Sequence, residues 1–260
     1  MSAAAPPPER LFTKRYPGAP AGFFAVEAAG LAWLAAAGPG AARVVEVRDW
    51  GPEHITVERL TPVRATAAAA EEFGRALART HAAGADAFGQ PPPGWEADGF
   101  IGREPLTLQP TARWGAFFAD QRIWPYALRA RELGNLSRTA LRLMERVCDR
   151  LRSGDFDDRR PPARVHGDLW SGNVLFTTTG VVLIDPAAHG AHPLADLGML
   201  ELFGAPHLRI ITAAYAEAAG LPADWRDVLG LHQLQPLLVH AVSHGGAYGL
   251  QAEHRAREFA

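Results

Sequence analysis

Residues 166–173 read His166-Gly167-Asp168-Leu169-Trp170-Ser171-Gly172-Asn173, and residues 181–186 read Val181-Val182-Leu183-Ile184-Asp185-Pro186. An aspartate stands five residues before an asparagine, and a second aspartate closes an apolar strand 12 residues beyond that asparagine. Asp168 follows a glycine on a tight turn and is placed to accept the proton of a hydroxyl. Asn173 and Asp185 offer oxygen ligands suited to the magnesium ion that bridges nucleotide phosphates. An Asx-turn between two strands would explain Gly167-Asp168 alone. It leaves both the asparagine and the strand-terminal aspartate unexplained, so phosphoryl transfer is the stronger reading.

The spacing resembles the kinase catalytic loop H-x-D-x-x-x-x-N with its later metal-binding Asp. Gly167 replaces the arginine of the protein-kinase version, and Asp185-Pro186 replaces Asp-Phe-Gly. Both changes point to small-molecule kinases. A rival reading makes His166, Asp168, Asp185, His189 and His192 ligands of a zinc-type hydrolase. Pro186 and Gly190 interrupt the helical spacing that a two-histidine site needs.

The chain has 260 residues, 48% hydrophobic and 21% charged, which suits an ordinary soluble globular protein. A net charge of -2 gives no basic excess for nucleic acid or an anionic membrane. No window approaches the ~18 apolar residues of a membrane span. Met1–Glu9 is rich in Ala and Pro without the apolar run of a signal peptide, and Cys148 is the single cysteine. The expected location is the cytoplasm. Of 26 Lys plus Arg, only Lys14 is lysine. A lone lysine in an arginine-rich chain is either a chance survivor or a place where a compact ammonium is needed.

Leu11–Tyr16 reads as a strand and Phe23–Ala37 as a helix. Arg43–Val47 and His54–Leu60 read as strands joined around Trp50-Gly51-Pro52. Thr61-Pro62 then breaks the pattern. Beyond it come helices over Ala67–Ala83, Ala112–Leu133 and Ser137–Leu151, the last with Ser137 as N-cap. Gln90–Pro110 reads as irregular, Val174–Phe176 and Val181–Ile184 as short strands, and Pro193–Ala260 as helices. The expected class is therefore α+β, with the order of a two-lobed kinase-like fold. Residues 1–62 would form a small β-containing nucleotide-binding lobe, and residues 63–260 a larger helical lobe with the catalytic loop and the substrate cleft.

Lys14 and Glu27 form a second pair, a strand lysine for nucleotide phosphates held by a glutamate of the next helix. The plainer reading of Glu27 is a charge favouring the helix N-terminus. Asp196 opens a helix and is expected to brace the catalytic loop by accepting backbone N–H groups. His232, His240 and His244 are expected on one helix, as a face lining the substrate cleft or as core histidines. Trp114, Phe117, Phe118, Trp124 and Tyr126 read as core, with Trp124 or Tyr126 as candidates to reach the cleft.

These residues carry a family resemblance over nearly the whole chain. The sequence resembles the fructosamine kinase (ketosamine 3-kinase) family, relatives of the aminoglycoside phosphotransferases. The matching stretches include Phe12-Thr13-Lys14, Phe23 to Leu31, Asp98-Gly99-Phe100-Ile101-Gly102, His166 to Leu175, Leu183 to Ala187 and Gly245-Gly246-Ala247-Tyr248-Gly249. The resemblance implies a protein-kinase-like fold and ATP with Mg2+. It implies phosphorylation of the third-carbon hydroxyl of a free or protein-bound ketosamine, whose product sheds the sugar and so repairs the amine. Asp168 would be the base and Trp170 would stack on the sugar. His244 would face the substrate, and Glu58 to Leu60 would meet adenine through backbone groups. Other outcomes of the same fold are a phosphotransferase of the aminoglycoside type and a weakly catalytic pseudokinase.

One departure stands out. The family carries a glycine-containing hairpin before the lysine strand, and Ala3–Pro8 does not match it. Either the start lies upstream or the small lobe is truncated by two strands. On the second reading the Lys14 strand has an uncovered edge and activity is weak.

Overall fold

The computed structural model describes residues 10–260. Met1–Glu9, where the family's hairpin would have to attach, lies outside the described residues. The chain opens with β1 (Leu11–Arg15) and α1 (Phe23–Ala35), followed by β2 (Arg43–Val44), β3 (Val47–Gly51) and β4 (His54–Glu58). β4 lies between β1 and β3, antiparallel to both, and its register sets Lys14 opposite Ile55. β4 is the only sheet neighbour of β1 among the described residues. α1 buries Phe24, Leu31 and Leu34 beneath this sheet.

The expected strand Arg43–Val47 is in fact two. Val44 and Val45 are both buried. Adjacent residues of one strand point to opposite faces, so a buried doublet is met here by a change of partner. Arg43–Val44 runs parallel to β9 (Gly180–Leu183), while Val47–Gly51 pairs with β4. The small N-terminal sheet is thereby tied to the hairpin of β8 (Val174–Thr177) and β9, which ends next to Asp185.

α2 (Ala67–Ala82) starts where the Thr66 hydroxyl accepts the Ala69 N–H at 3.2 Å. The segment Gln90–Pro110 is less irregular than expected. It holds a hairpin, β5 (Gly99–Ile101) and β6 (Glu104–Leu106), turned at Gly102 with φ 56°. Its prolines hide the signal. Pro105 sits in β6, the kind of two-stranded edge that tolerates a missing donor. The Asp98 carboxylate accepts the Leu108 N–H at 2.9 Å and closes the hairpin base.

The expected helix Ala112–Leu133 is α3 (Trp114–Phe117), a π-turn (Phe118–Ile123) and α4 (Trp124–Glu132). Pro125 cannot donate to the turn before it, and the turn widens there. α5 (Arg138–Ser153) is capped as expected, the Ser137 hydroxyl accepting the Ala140 N–H at 2.9 Å. Two strands of three residues, β7 (Ala163–Val165) and β10 (His189–Ala191), pair on either side of residues 166–188. They are too short to show a period. α6 (Leu194–Phe203), α7 (Leu208–Ala219), α8 (Leu229–His232), α9 (Leu234–His244) and α10 (Gly246–Ala256) complete the chain.

Two apolar clusters support the molecule. One joins α3 to α5 with α9 and α10. The other joins α1, the β8–β9 hairpin, α2, α6 and α7, so Leu31 and Leu34 share a core with Leu183 and Leu197. No described helix is long and apolar enough to cross a membrane. Removing the α5 cap by Ser137→Ala is expected to lower unfolding free energy by about 1 kcal/mol, read by urea denaturation. An unchanged midpoint would show that α5 is held by packing alone.

Candidate active site

The His166–Asn173 loop leaves β7 at Val165 and turns sharply at Gly167, φ 80°. A Cβ there would collide with the Ala187 carbonyl, so the turn requires glycine. Asp196, in the first turn of α6, lies beneath it. One carboxylate oxygen accepts the His166 N–H at 2.7 Å and the other the Gly167 N–H at 2.9 Å. The His81 ring on α2 donates to the same carboxylate at 3.0 Å and accepts from the Tyr215 hydroxyl of α7 at 2.7 Å. Burial works against the Asp196 charge, but these donors outweigh it and hold its carboxyl below the usual range.

Asp168 comes next. Burial, with Asp185 and Asp196 nearby, pushes its carboxyl up to about 6, against the opposing hydrogen bond from Asn173. Asn173 closes a single 3-10 turn (Ser171–Asn173). Its amide nitrogen donates to the Asp168 carbonyl at 2.8 Å and to the Asp168 carboxylate at 3.2 Å. The amide oxygen is left for another partner. Asp185 follows β9 in the left-handed region, φ 52°, an unusual conformation for a residue with a Cβ. Its carboxylate is half exposed and accepts from the Lys14 ammonium at 3.1 Å. The same ammonium meets both oxygens of Glu27 at 2.8 Å. Burial lowers the Lys14 pKa, yet the two carboxylates outweigh it and the net shift is upward. Glu27 thus spends its charge on Lys14 rather than on the end of α1.

Lys14, Glu27, Asp168, Trp170, Asn173 and Asp185 all face one cavity of about 230 Å³. Two larger spaces adjoin it. On the β-sheet side a mostly apolar cavity of about 430 Å³ is lined by Phe12, Ile55, Val57, Glu58, Leu60 and Leu175. The Glu58 and Arg59 N–H groups already donate to Glu46 and Arg10 carbonyls, and Arg43 grips the Glu58 carboxylate at 2.7 and 2.8 Å. Of the segment expected to meet adenine through backbone groups, the N–H groups of Glu58 and Arg59 are thus engaged, and Leu60 lies past these bonds. On the helical side a cavity of about 830 Å³ contains Asp168, Trp170, His244, His240 and Tyr248. Trp170 is 43% exposed and lines both this space and the central cavity, and a Cβ at Gly172 would overlap its indole.

Some expectations need correction. The three histidines do not share a helix. His232 lies on α8, fully buried, with its ring stacked on His192 at 4.6 Å; only His240 and His244, on α9, reach the cavity. The chain turns at Gln233 between the two helices, which periodicity did not reveal. Neither Trp124 nor Tyr126 lines a cavity beside Asp168; the Tyr126 hydroxyl instead donates to the Pro105 carbonyl at 2.6 Å. The histidines of the zinc reading point apart. His166 donates to the Ile184 carbonyl, His189 to the Ala187 carbonyl and His192 to Asp158. No three metal-binding side chains converge among the described residues. Sequence reasoning also missed Arg103, Glu104 and Arg129 in the larger cavity. The Asp98 to Gly102 stretch was the available signal, but its hairpin was not recognised.

The fold is that of the small-molecule phosphotransferases related to protein kinases. The aminoglycoside phosphotransferases APH(2'')-Ib and APH(4)-Ia, both solved with ADP, superpose with TM-scores of 0.55 and 0.60 at 12% and 14% identity. Within that class the chain belongs to the fructosamine kinase family, whose model matches residues 7–259. A Thermobifida fusca protein described as a fructosamine-3-kinase is 45% identical, with TM-score 0.87 over 95% of this chain and 84% of that one. A probable ketoamine kinase of Synechocystis is 35% identical over 72% of this chain and 60% of its own length. One of Enterococcus faecium is 29% identical over 95% of this chain and 87% of its own. The chain thus spans less than two thirds of the Synechocystis relative.

Truncating Asp196 to alanine would leave two loop N–H groups and the His81 ring without their acceptor. The expected loss of stability is about 3–5 kcal/mol, measured by chemical denaturation. A loss below about 1 kcal/mol would show that the loop holds its shape without this carboxylate.

Proposed function

We propose that this chain transfers the γ-phosphoryl group of ATP to a sugar hydroxyl of a ketosamine. The observation that carries the reading is the meeting of Asp168, Asn173, Asp185 and the Lys14–Glu27 pair on one cavity, in a chain of the fructosamine kinase family. The apolar cavity beside Lys14 suits adenine, with residues 10–62 as the nucleotide-binding part. The helical side suits the acceptor.

The oxygen donors fit Mg2+. Asn173 has already spent its amide nitrogen on Asp168, so its oxygen is free to ligate, and Asp185 presents a half-exposed carboxylate. Both are the hard oxygen ligands this ion prefers. When bound, the ion neutralises charge on the phosphate oxygens. Lys14, fixed by Glu27, presents a compact positive charge to the same oxygens. Asp168 accepts the hydroxyl proton as the sugar oxygen forms its bond to the γ-phosphorus, and the bond from that phosphorus to the bridging oxygen breaks to release ADP. A carboxyl raised to about 6 is a stronger base than an ordinary aspartate yet remains ionised at neutral pH. Trp170 offers an exposed indole face to the sugar, and His244 lines the same space. Phosphorylation at the third carbon would labilise the sugar–amine bond and so deglycate the amine, work that fits the cytoplasm.

The test is magnesium-dependent ADP release with a free fructosamine, beside an aminoglycoside as competing acceptor. Asp168→Asn is expected to lower kcat by ~10²–10⁴. Normal rates in both Asp168→Asn and Asp168→Ala would remove this residue from the reaction. The pH profile follows from the same group. A protonated Asp168 accepts nothing, so kcat/KM should fall as pH drops below about 6. The bound cation can only move that limb lower, and an acid limb above pH 7 would contradict the assignment.

A further inference from the structure

The cavity of about 830 Å³ beyond Asp168 has two unlike walls. Its size lies in the ~300–1,000 Å³ range of small-molecule sites and leaves room for more than one sugar ring. One wall is aromatic. His240 stacks on His244 at 5.0 Å and lies tilted against Phe203 at 4.6 Å, with Tyr248 also 5.0 Å from His240. The other wall is charged and is built by the β5–β6 hairpin and α4. The hydrogen bond from the Tyr126 hydroxyl to the Pro105 carbonyl clamps the two elements together. It holds Arg129, one turn along α4, beside Arg103 and Glu104 at the hairpin tip.

Each of these charges is available to a ligand. Glu104 is half-buried, and its carboxylate has no hydrogen-bond or ion-pair partner among the described residues. Arg129 is 57% exposed and reaches only Glu132 at 3.3 Å, a surface pair of little strength. The Arg103 guanidinium lies over the Tyr16 ring at 4.7 Å. Stacking uses its flat face and leaves its in-plane N–H donors free.

A ketosamine carries a secondary amine that is protonated at neutral pH, and a lone carboxylate in its cavity favours that charge. Two guanidiniums on the same wall have no use for the ammonium and call for an anion. Sugar, ammonium and carboxylate occur together in the ketosamine of a free amino acid. We infer that this cavity selects ketosamines of free amino acids, with the ammonium on Glu104 and the carboxylate on Arg103 and Arg129. The inference rests on the ketosamine reading above and narrows it to a substrate class.

The experiment compares N-fructosylglycine with N-fructosyl-methylamine, the same ammonium without the carboxylate, as acceptors for the full chain with magnesium and ATP. The carboxylate-bearing compound is expected to have the higher kcat/KM by about tenfold, through KM. Arg103→Gln and Arg129→Gln should each shrink that ratio about threefold, as befits exposed ion pairs. Glu104→Gln should raise KM for both compounds, since both keep the ammonium. A ratio near one in the unaltered chain, or a ratio unmoved in the double arginine variant, overturns the inference while leaving the kinase reading intact. Turnover of neither compound overturns the ketosamine reading. Calorimetric titration of the two compounds then measures the same preference without turnover and decides the inference by itself.

Discussion

The Asp196 carboxylate is the contact on which the site depends. It is buried, and a buried charge is tolerated only when it is fully solvated by donors. Here the donors are the His166 and Gly167 N–H groups and the His81 ring. Satisfying that charge therefore dictates the shape of the segment that carries Asp168. It also joins four elements, because His81 belongs to α2, its partner Tyr215 to α7, Asp196 to α6, and the loop to β7. A collapse of any of these would leave a charge or an amide stranded. Gly167 is the complementary requirement, since its close approach to the Ala187 carbonyl leaves no room for a side chain.

The second constraint is electrostatic. Glu27, Asp168 and Asp185 crowd one cavity whose only cation among the described residues is Lys14. The excess of negative charge is partly relieved by Lys14, which satisfies Glu27 and Asp185 at once, while burial and the remaining negative charge raise the Asp168 pKa. A site so arranged suits the divalent cation of the proposed reaction. It also explains why an arginine-rich chain keeps a lysine here. A point-like ammonium can bridge two carboxylates that approach from different directions, whereas a planar guanidinium prefers one carboxylate in its own plane.

The cleft is asymmetric about Asp168. Towards the sheet it is apolar and bounded by backbone already engaged in pairing, a surface suited to a flat base. Towards the helices it is wide, aromatic on one side and charged on the other. The β5–β6 hairpin connects these halves, because Phe100 packs on Phe23 at 5.1 Å beside the small sheet while Arg103 and Glu104 reach the helical cavity. One wall of the helical cavity is thus built by a short hairpin rather than by the helical core. Such segments change readily without disturbing a core.

The sequence by itself determined the class of fold and singled out Asp168, Asn173, Asp185, Lys14 and Glu27, which the structure brings to one cavity. These were legible because reacting groups must sit at fixed separations along one loop, and because long amphipathic helices with caps such as Ser137 announce themselves by period and composition. What only the tertiary structure decided were contacts made across distance. Arg43–Val44 left its expected strand to pair with β9, three-residue strands formed only because a partner was in place, and His232 parted from His240 and His244 where the helix broke at Gln233. Arg103, Glu104 and Arg129 met on one wall through a single tyrosine hydroxyl. Local sequence carries no record of such meetings, since the free energy that creates them comes from burial and hydrogen bonding between segments far apart in the chain.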